Sequence, residues 1–247
     1  MDTDIFIKTY HKDFKWLKYC LKSIEKYATG FRNIIIVADD DGHVIPSEYL
    51  IKNCKVFYVG LPDNRPSYVE HGIGYLWQQC IKLSWYNYSD ANAVLIMDSD
   101  EMFTESISPI SFQKEGKFTW NYRPWSEAGS GICWKKSTDF LLNTDTTYDA
   151  MAITGFVLQR ETTIALKNCL CSTHGTKDIW DIFVKHNMST ASEFNIFGSF
   201  IHHFDRREYT QVHNFNRENC VNFSIRKSWS WGGISEEEDK LRNALLQ

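Results

Sequence analysis

The sequence predicts an α/β fold, one domain with a mostly parallel central sheet flanked by helices. Three observations carry this expectation. Uninterrupted apolar runs at residues 34–38 and 93–97 suit strands buried on both faces. Segments with apolar residues at helical spacing lie between such runs. Strand and helix signals alternate over the first 105 residues, as βαβ units require.

Taken in order, residues 4–10 read as a first strand. Asp13 is placed to cap a helix carrying Phe14, Leu17, Leu21 and Ile24 on one face, and Gly30 ends it. The lysines from Lys8 to Lys26 read as a solvated helix face. A second strand over 34–38 stops at Asp39-Asp40-Asp41-Gly42, and a short third covers 56–59. A helix over about 74–86 precedes the strand at 93–97. Beyond residue 105 the pattern becomes mixed α+β. Residues 118–122 and 153–158 suit strands, separated by an aromatic, glycine-bearing loop over 124–136. Helical patterns follow at 177–188 and 192–204. A last helix opens on a capping-box signature, Ser235 with Glu238, ahead of Leu241, Ala244 and Leu245. No linker is visible, so 1–247 is read as one domain with two halves, 1–105 and 106–247.

Composition narrows the function classes. A net charge of −4 gives no basic footprint for nucleic acid. The seven cysteines are scattered, and Cys169-Leu170-Cys171 lacks the usual zinc spacing, so reduced thiols are expected. The acidic opening Met1-Asp2-Thr3-Asp4 does not resemble a signal peptide. No run approaches the ~20 apolar residues of a spanning helix, so no integral membrane segment is expected.

The most informative motif is Asp98-Ser99-Asp100-Glu101, which directly follows the apolar run at 93–97. In an extended strand residues i and i+2 face the same way, so Asp98 and Asp100 would emerge together, with Ser99 facing away. The carboxyl end of a parallel sheet is where ligands bind in α/β folds. Paired carboxylates there suit Mg²⁺ or Mn²⁺ together with substrate phosphates. The plainer reading is an acidic turn that ends a strand.

Several segments in fixed order add to this motif. Gly74-Tyr-Leu-Trp-Gln-Gln-Cys-Ile-Lys82-Leu precedes Val94-Leu-Ile-Met-Asp-Ser-Asp100, and Ser192-Glu193-Phe194 with Gly198 comes later. Together they resemble GT-A-fold nucleotide-sugar glycosyltransferases, in particular a group found in bacteria and large DNA (algal) viruses. The resemblance runs roughly from Asp4 to Phe204. It implies a GT-A-like domain with a nucleotide-sugar half at 1–105 and an acceptor half with a C-terminal helix at 106–247. It implies a nucleoside-diphosphate-sugar donor, with a UDP-sugar as first choice, and a glycan acceptor, in the cytoplasm, or the host cytoplasm if the source is viral.

The same resemblance implies roles. Asp100 would bind Mn²⁺ or Mg²⁺, and Asp98 the metal or the ribose. Ser99 belongs to this donor-binding segment. Asp39 would accept hydrogen bonds from base or ribose, or else simply end its strand. Thr9 and Tyr10 close the first strand, with Tyr10 on the nucleobase or in the core. Lys82 would contact phosphate, or else be a solvated helical lysine. Glu193 is the candidate general base, chosen over Glu161, Glu127 and Asp181. A late histidine ligand would be His203, ahead of His202, His213 and His174. Trp125 would meet the acceptor, with Trp120, Trp134 and Trp180 as further sugar walls or core residues. Gly155 would allow close backbone approach to the donor sugar, or mark a bulge. Transfer with inversion is favoured, with a retaining enzyme or a non-catalytic carbohydrate-binding protein as alternatives. Phosphatase and nucleotidyltransferase chemistry fits less well, because Met102 stands where an Asp-x-Asp-x-Thr motif needs threonine, and His11-Lys12-Asp13-Phe14 is no glycine-rich loop.

Overall fold

The computed structural model describes residues 1–64, 72–151, 155–205, 209–213, 225–227 and 233–247. Its centre is a five-stranded sheet in which β1 (Thr3–Thr9), β2 (Ile34–Asp39), β3 (Cys54–Val59) and β4 (Ala93–Asp98) run parallel. A short antiparallel strand near 156–159 closes the β4 edge, giving a spatial order of third, second, first, fourth and last strand. β1, most of β2 and all of β4 but Asp98 are buried, which matches their apolar runs. Between β1 and β2, helix α1 (Phe14–Tyr27) buries Leu17, Cys20, Leu21 and Ile24, an i, i+3, i+4, i+7 stripe. Asp4 anchors the entry to β2. It is fully buried and accepts Arg32 Nε and Nη2 at 3.0 and 3.1 Å and the Ser89 hydroxyl at 2.6 Å.

Helix α2 (Ile73–Leu83) precedes β4, and a turn at Ser99-Asp100 leads into β5 (Glu101–Phe103). A second, smaller sheet follows, built on β6 (Gln113–Lys114), β7 (Lys117–Pro124) and β8 (Tyr148–Asp149). Helix α3 (Lys135–Leu142) lies between β7 and β8. β9 (Phe156–Gln159) is the antiparallel edge strand of the main sheet, and it runs into α4 (Arg160–His174). Then come α5 (Ile179–Lys185) and α6 (Glu193–Phe204). β10 (Tyr209–His213) joins β7 in parallel, β11 (Ile225–Lys227) pairs antiparallel with β5, and α7 (Glu236–Leu246) packs on α1. One apolar cluster runs from Ile5 through Trp120 and Phe197 to Tyr209, so both halves share a core.

Helix α6 is buried at every position from Glu193 to Ile201, the pattern of a helix inside the core. Gly198 permits this. A Cβ there would stand 2.2 Å from Ala150 Cβ and 3.2 Å from the Trp120 ring. Helix α7 is fixed by Arg242, which is fully buried, stacks over Trp16 at 4.5 Å and donates to the Asp100 carbonyl at 2.8 Å.

The α/β expectation with a mostly parallel sheet holds, with several local corrections. Part of the strand expected at 153–158 lies outside the described residues; its described portion begins at Phe156. The region 124–136 is not one loop but two 3₁₀ turns leading into α3. Helix α4 carries few inward apolar residues, Leu166 and Leu170, and fills the rest of its buried face with Thr162, Thr163 and His174. Its stripe is therefore too weak to read from spacing alone. Among the described residues no helix is long and apolar enough to cross a membrane, and the six cysteines found there are free thiols.

Candidate functional site

β2 and β3 lie on one side of β1 and β4 on the other, so the chain reverses its winding direction between β1 and β4. Adjacent strand ends then splay apart and leave a crevice at their carboxyl edge. A cavity of about 790 Å³ opens there, lined by Lys8, Thr9 and Tyr10 of β1 and its exit, Asp39 of β2, and Asp98, Ser99 and Asp100. Its walls include Gln78, Gln79 and Lys82 of α2, Trp134, Glu193 and Phe194 of α6, and Lys227 of β11.

Asp98 is the hub. Its Oδ1 accepts Lys82 Nζ at 2.5 Å and its Oδ2 accepts Lys227 Nζ at 2.6 Å. Lys82 also donates to Glu193 Oε1 at 2.6 Å, so one buried ammonium bridges the acidic turn and the start of α6. Burial opposes ionisation of Asp98, but Lys227 and Lys82 outweigh it and hold the carboxyl well below the usual range. Burial likewise opposes the Lys82 charge, and Asp98 and Glu193 overcome it and hold its pKa above the lysine range. On the far side Lys8 donates to Asp39 Oδ1 at 2.6 Å and to the Thr9 carbonyl at 2.8 Å. Here burial wins, and the Asp39 carboxylate only partly restores the lowered Lys8 pKa.

Glu101 sits beneath the turn. It is almost completely buried, accepts the Asp98 N–H at 3.1 Å and Lys227 at 3.3 Å, and burial pushes its pKa up to about 7. A carboxyl whose folded pKa is raised holds its proton longer in the folded chain than in the unfolded one. Its contribution is therefore fully present below its ordinary value of 4.5 and is lost as pH rises through about 7. Urea midpoints measured across this window should fall with pH in the wild type relative to Glu101→Gln. Parallel pH profiles for the two proteins would contradict this origin.

Of the residues expected from sequence, Thr9, Tyr10, Asp39, Lys82, Asp98, Ser99, Asp100 and Glu193 come together around the one cavity. Their local geometry differs in places from expectation. The strand ends at Asp98, so Asp100 reaches the cavity through a turn rather than by strand alternation. Ser99 does not face away; it is buried, and its hydroxyl donates to Asp13 Oδ2 at 3.4 Å. Asp13 begins α1 without a side-chain cap. Lys82 is not solvated, and Tyr10 is 37 % exposed at the cavity, outside the core. The Thr9 hydroxyl is buried with no hydrogen-bond partner among the described residues.

Three expected residues lie elsewhere. Trp125 is buried and donates to the Thr146 hydroxyl at 3.1 Å, because the turn after Pro124 folds it inward. Trp134 lines the cavity instead. His203 is ten residues along α6 from Glu193, roughly 15 Å at 1.5 Å per residue, and it does not line the cavity. Gly155 is not in the cavity lining; it stands directly before β9 with φ +85°, a conformation that side chains disfavour. Lys8, expected on a solvated helix face, is instead buried in β1; sequence reading gave no role to Glu101 and missed Lys227. Lys8 had one signal, a lysine directly after the apolar run Ile5-Phe6-Ile7 of its strand; Lys227 had none, since only the β5–β11 pairing delivers it.

The lining tests whether a divalent cation fits. Five carboxyl groups (Asp13, Asp39, Asp98, Asp100 and Glu193) face three ammonium groups (Lys8, Lys82 and Lys227), a formal excess of two negative charges among the described residues. Hard oxygen donors with that excess suit Mg²⁺ or Mn²⁺. Both Asp98 oxygens already hold lysines, so a metal bond to Asp98 requires one ammonium to turn away. Compared with protein-family models and with curated protein sequences, the chain matches none.

Proposed function

We propose that the chain is a GT-A-type glycosyltransferase that moves a sugar from a nucleoside-diphosphate donor, with UDP-sugars the first class to test, to a glycan hydroxyl with inversion. The observation that supports this most is the cavity at the carboxyl ends of β1, β2 and β4, which joins an acidic turn, buried lysines and Glu193 in one space. The nucleoside would lie on the β1–β2 side, where exposed Tyr10 offers a ring face and Thr9 and Asp39 offer polar groups. The diphosphate would lie toward Lys82 and Lys227, since lysine ammonium binds phosphate as a point charge. Asp100 and Asp98 would hold a Mg²⁺ or Mn²⁺ ion, which supplies Lewis-acid stabilisation of the diphosphate when bound.

Glu193 is the general base of this proposal. As the acceptor oxygen bonds to the anomeric carbon, its proton passes to the Glu193 carboxylate. The bond from that carbon to the diphosphate breaks, and its electron pair leaves on the phosphate oxygen. The Ser192 hydroxyl caps α6 by accepting the Asn195 N–H at 3.3 Å, and Gln79 accepts the Glu193 N–H at 2.9 Å. Lys82 fixes the carboxylate itself, so the base sits on a rigid, buried helix end.

Glu193→Gln is expected to lower transfer by about 10²–10⁴-fold, the usual share of a general base, with UDP affinity retained. Unchanged transfer kinetics would remove Glu193 from the mechanism. The anomeric configuration of the product distinguishes inversion from retention. Calorimetry with UDP, with and without Mn²⁺, separates this reading from a carbohydrate-binding protein, which would bind sugar and ignore the nucleotide.

A further inference from the structure

A cluster outside the cavity uses residues to which the proposed transfer assigns no role. β1 and β2 are parallel neighbours, so the turn after β1 and the loop after β2 adjoin at the same sheet edge. The first brings His11 and the second brings Asp41 and His43. Gly42, at φ +85°, takes a left-handed conformation that side chains disfavour, and it bends the chain between Asp41 and His43. The bend is closed by the His43 N–H, which donates to Asp41 Oδ1 at 3.1 Å.

The side chains converge. His11 Nδ1 lies 2.5 Å from Asp41 Oδ2, and His43 Nδ1 lies 3.1 Å from Asp41 Oδ1. The two imidazoles stack with centroids 4.1 Å apart and planes 17° from parallel, so both Nδ1 atoms face the one carboxylate. One nitrogen from each histidine and one oxygen from Asp41 all lie within 4.8 Å of one another. Ligands held about 2.0–2.2 Å from a tetrahedral zinc ion stand on the order of 3.3–3.5 Å apart, so rotation of the stacked rings about their side-chain torsions, aiming one nitrogen of each at a common point, would admit an ion beside Asp41. His11 and Asp41 are each about one-third exposed and His43 more so, which leaves an entry path and room for water as a further ligand.

We infer that His11, Asp41 and His43 form a site for a divalent transition metal, with zinc as the first candidate. Imidazole nitrogens select such ions over Mg²⁺, which prefers an all-oxygen shell. The three residues are absent from the cavity lining, so this site is separate from the Asp98–Asp100 turn. Bound metal would tie the β1–α1 turn to the β2–β3 loop. It would do so beside Tyr10, whose ring stands edge-on to His11 at 5.8 Å.

The test is calorimetric titration of Zn²⁺ into the chelator-stripped full chain with Mg²⁺ in excess, alongside thermal melting. One equivalent should bind and raise the melting temperature. His11→Ala and His43→Ala should each weaken binding at least about tenfold, and Asp41→Asn should do the same while keeping the loop's shape. Substitution by Co²⁺ should give visible absorption bands that disappear in His43→Ala. Absence of zinc binding would overturn the inference, as would binding of equal strength in all three variants.

Discussion

Lys82→Ala is expected to destabilise the fold by about 3–5 kcal/mol, the range for breaking a buried ion pair by removing one partner. The residue is 1 % exposed, and its ammonium serves two carboxylates. Lys227 would still pair with Asp98. The group left uncompensated is Glu193, whose carboxylate has Lys82 as its ion-pair partner among the described residues. Urea denaturation measures the loss as a shift in midpoint at constant slope. Adding Glu193→Gln should return part of it, because contacting residues show coupling of about 0.5–3 kcal/mol in such cycles. A loss within about 0.5 kcal/mol, normal for a surface lysine, would contradict the burial argument.

Gly198→Ala should also destabilise, against the ordinary trend. In a helix interior alanine is favoured over glycine by about 1 kcal/mol. Here the added methyl meets Ala150 Cβ at 2.2 Å, and neither group has a rotamer by which to move aside. The Ala150 N–H is held by Asn195 Oδ1 at 2.6 Å, so the chain just past β8 cannot yield without breaking a buried hydrogen bond. The Trp120 ring closes the other side at 3.2 Å. A net loss of about 1–3 kcal/mol is expected from overpacking, read from the same denaturation curves. A gain in stability would show that α6 and β8 are farther apart than 2.2 Å implies.

The parallel sheet and its acidic terminus were legible because apolar runs buried on both faces have no other good explanation in a short strand. Asp39, Asp98 and Asp100 followed, since each lies at or just past a strand end. Ser192 and Ser235 were legible as helix starts because capping is a local interaction between neighbours in sequence. The partners of Asp98 were not legible in this way. Lys227 arrives on a three-residue strand 129 positions away, and no spacing rule reaches that far. Trp125 illustrates the converse limit. An aromatic in a glycine-bearing stretch reads as exposed until a buried hydroxyl, Thr146, supplies its indole N–H with a partner.

The Arg242 clamp has a consequence for the order in which the molecule is made. Arg242 holds the Asp100 carbonyl from 142 residues further along the chain. During synthesis the sheet strands β1 to β4 emerge long before α7 does. The acidic turn must therefore wait, incompletely held, until α7 has left the ribosome and docked on α1. Contacts of such long sequence separation form late because loop closure precedes their reward. Nascent chains released after β10 but before α7 should carry a formed core whose Asp98–Asp100 turn is still open to protease, and protection there should appear last.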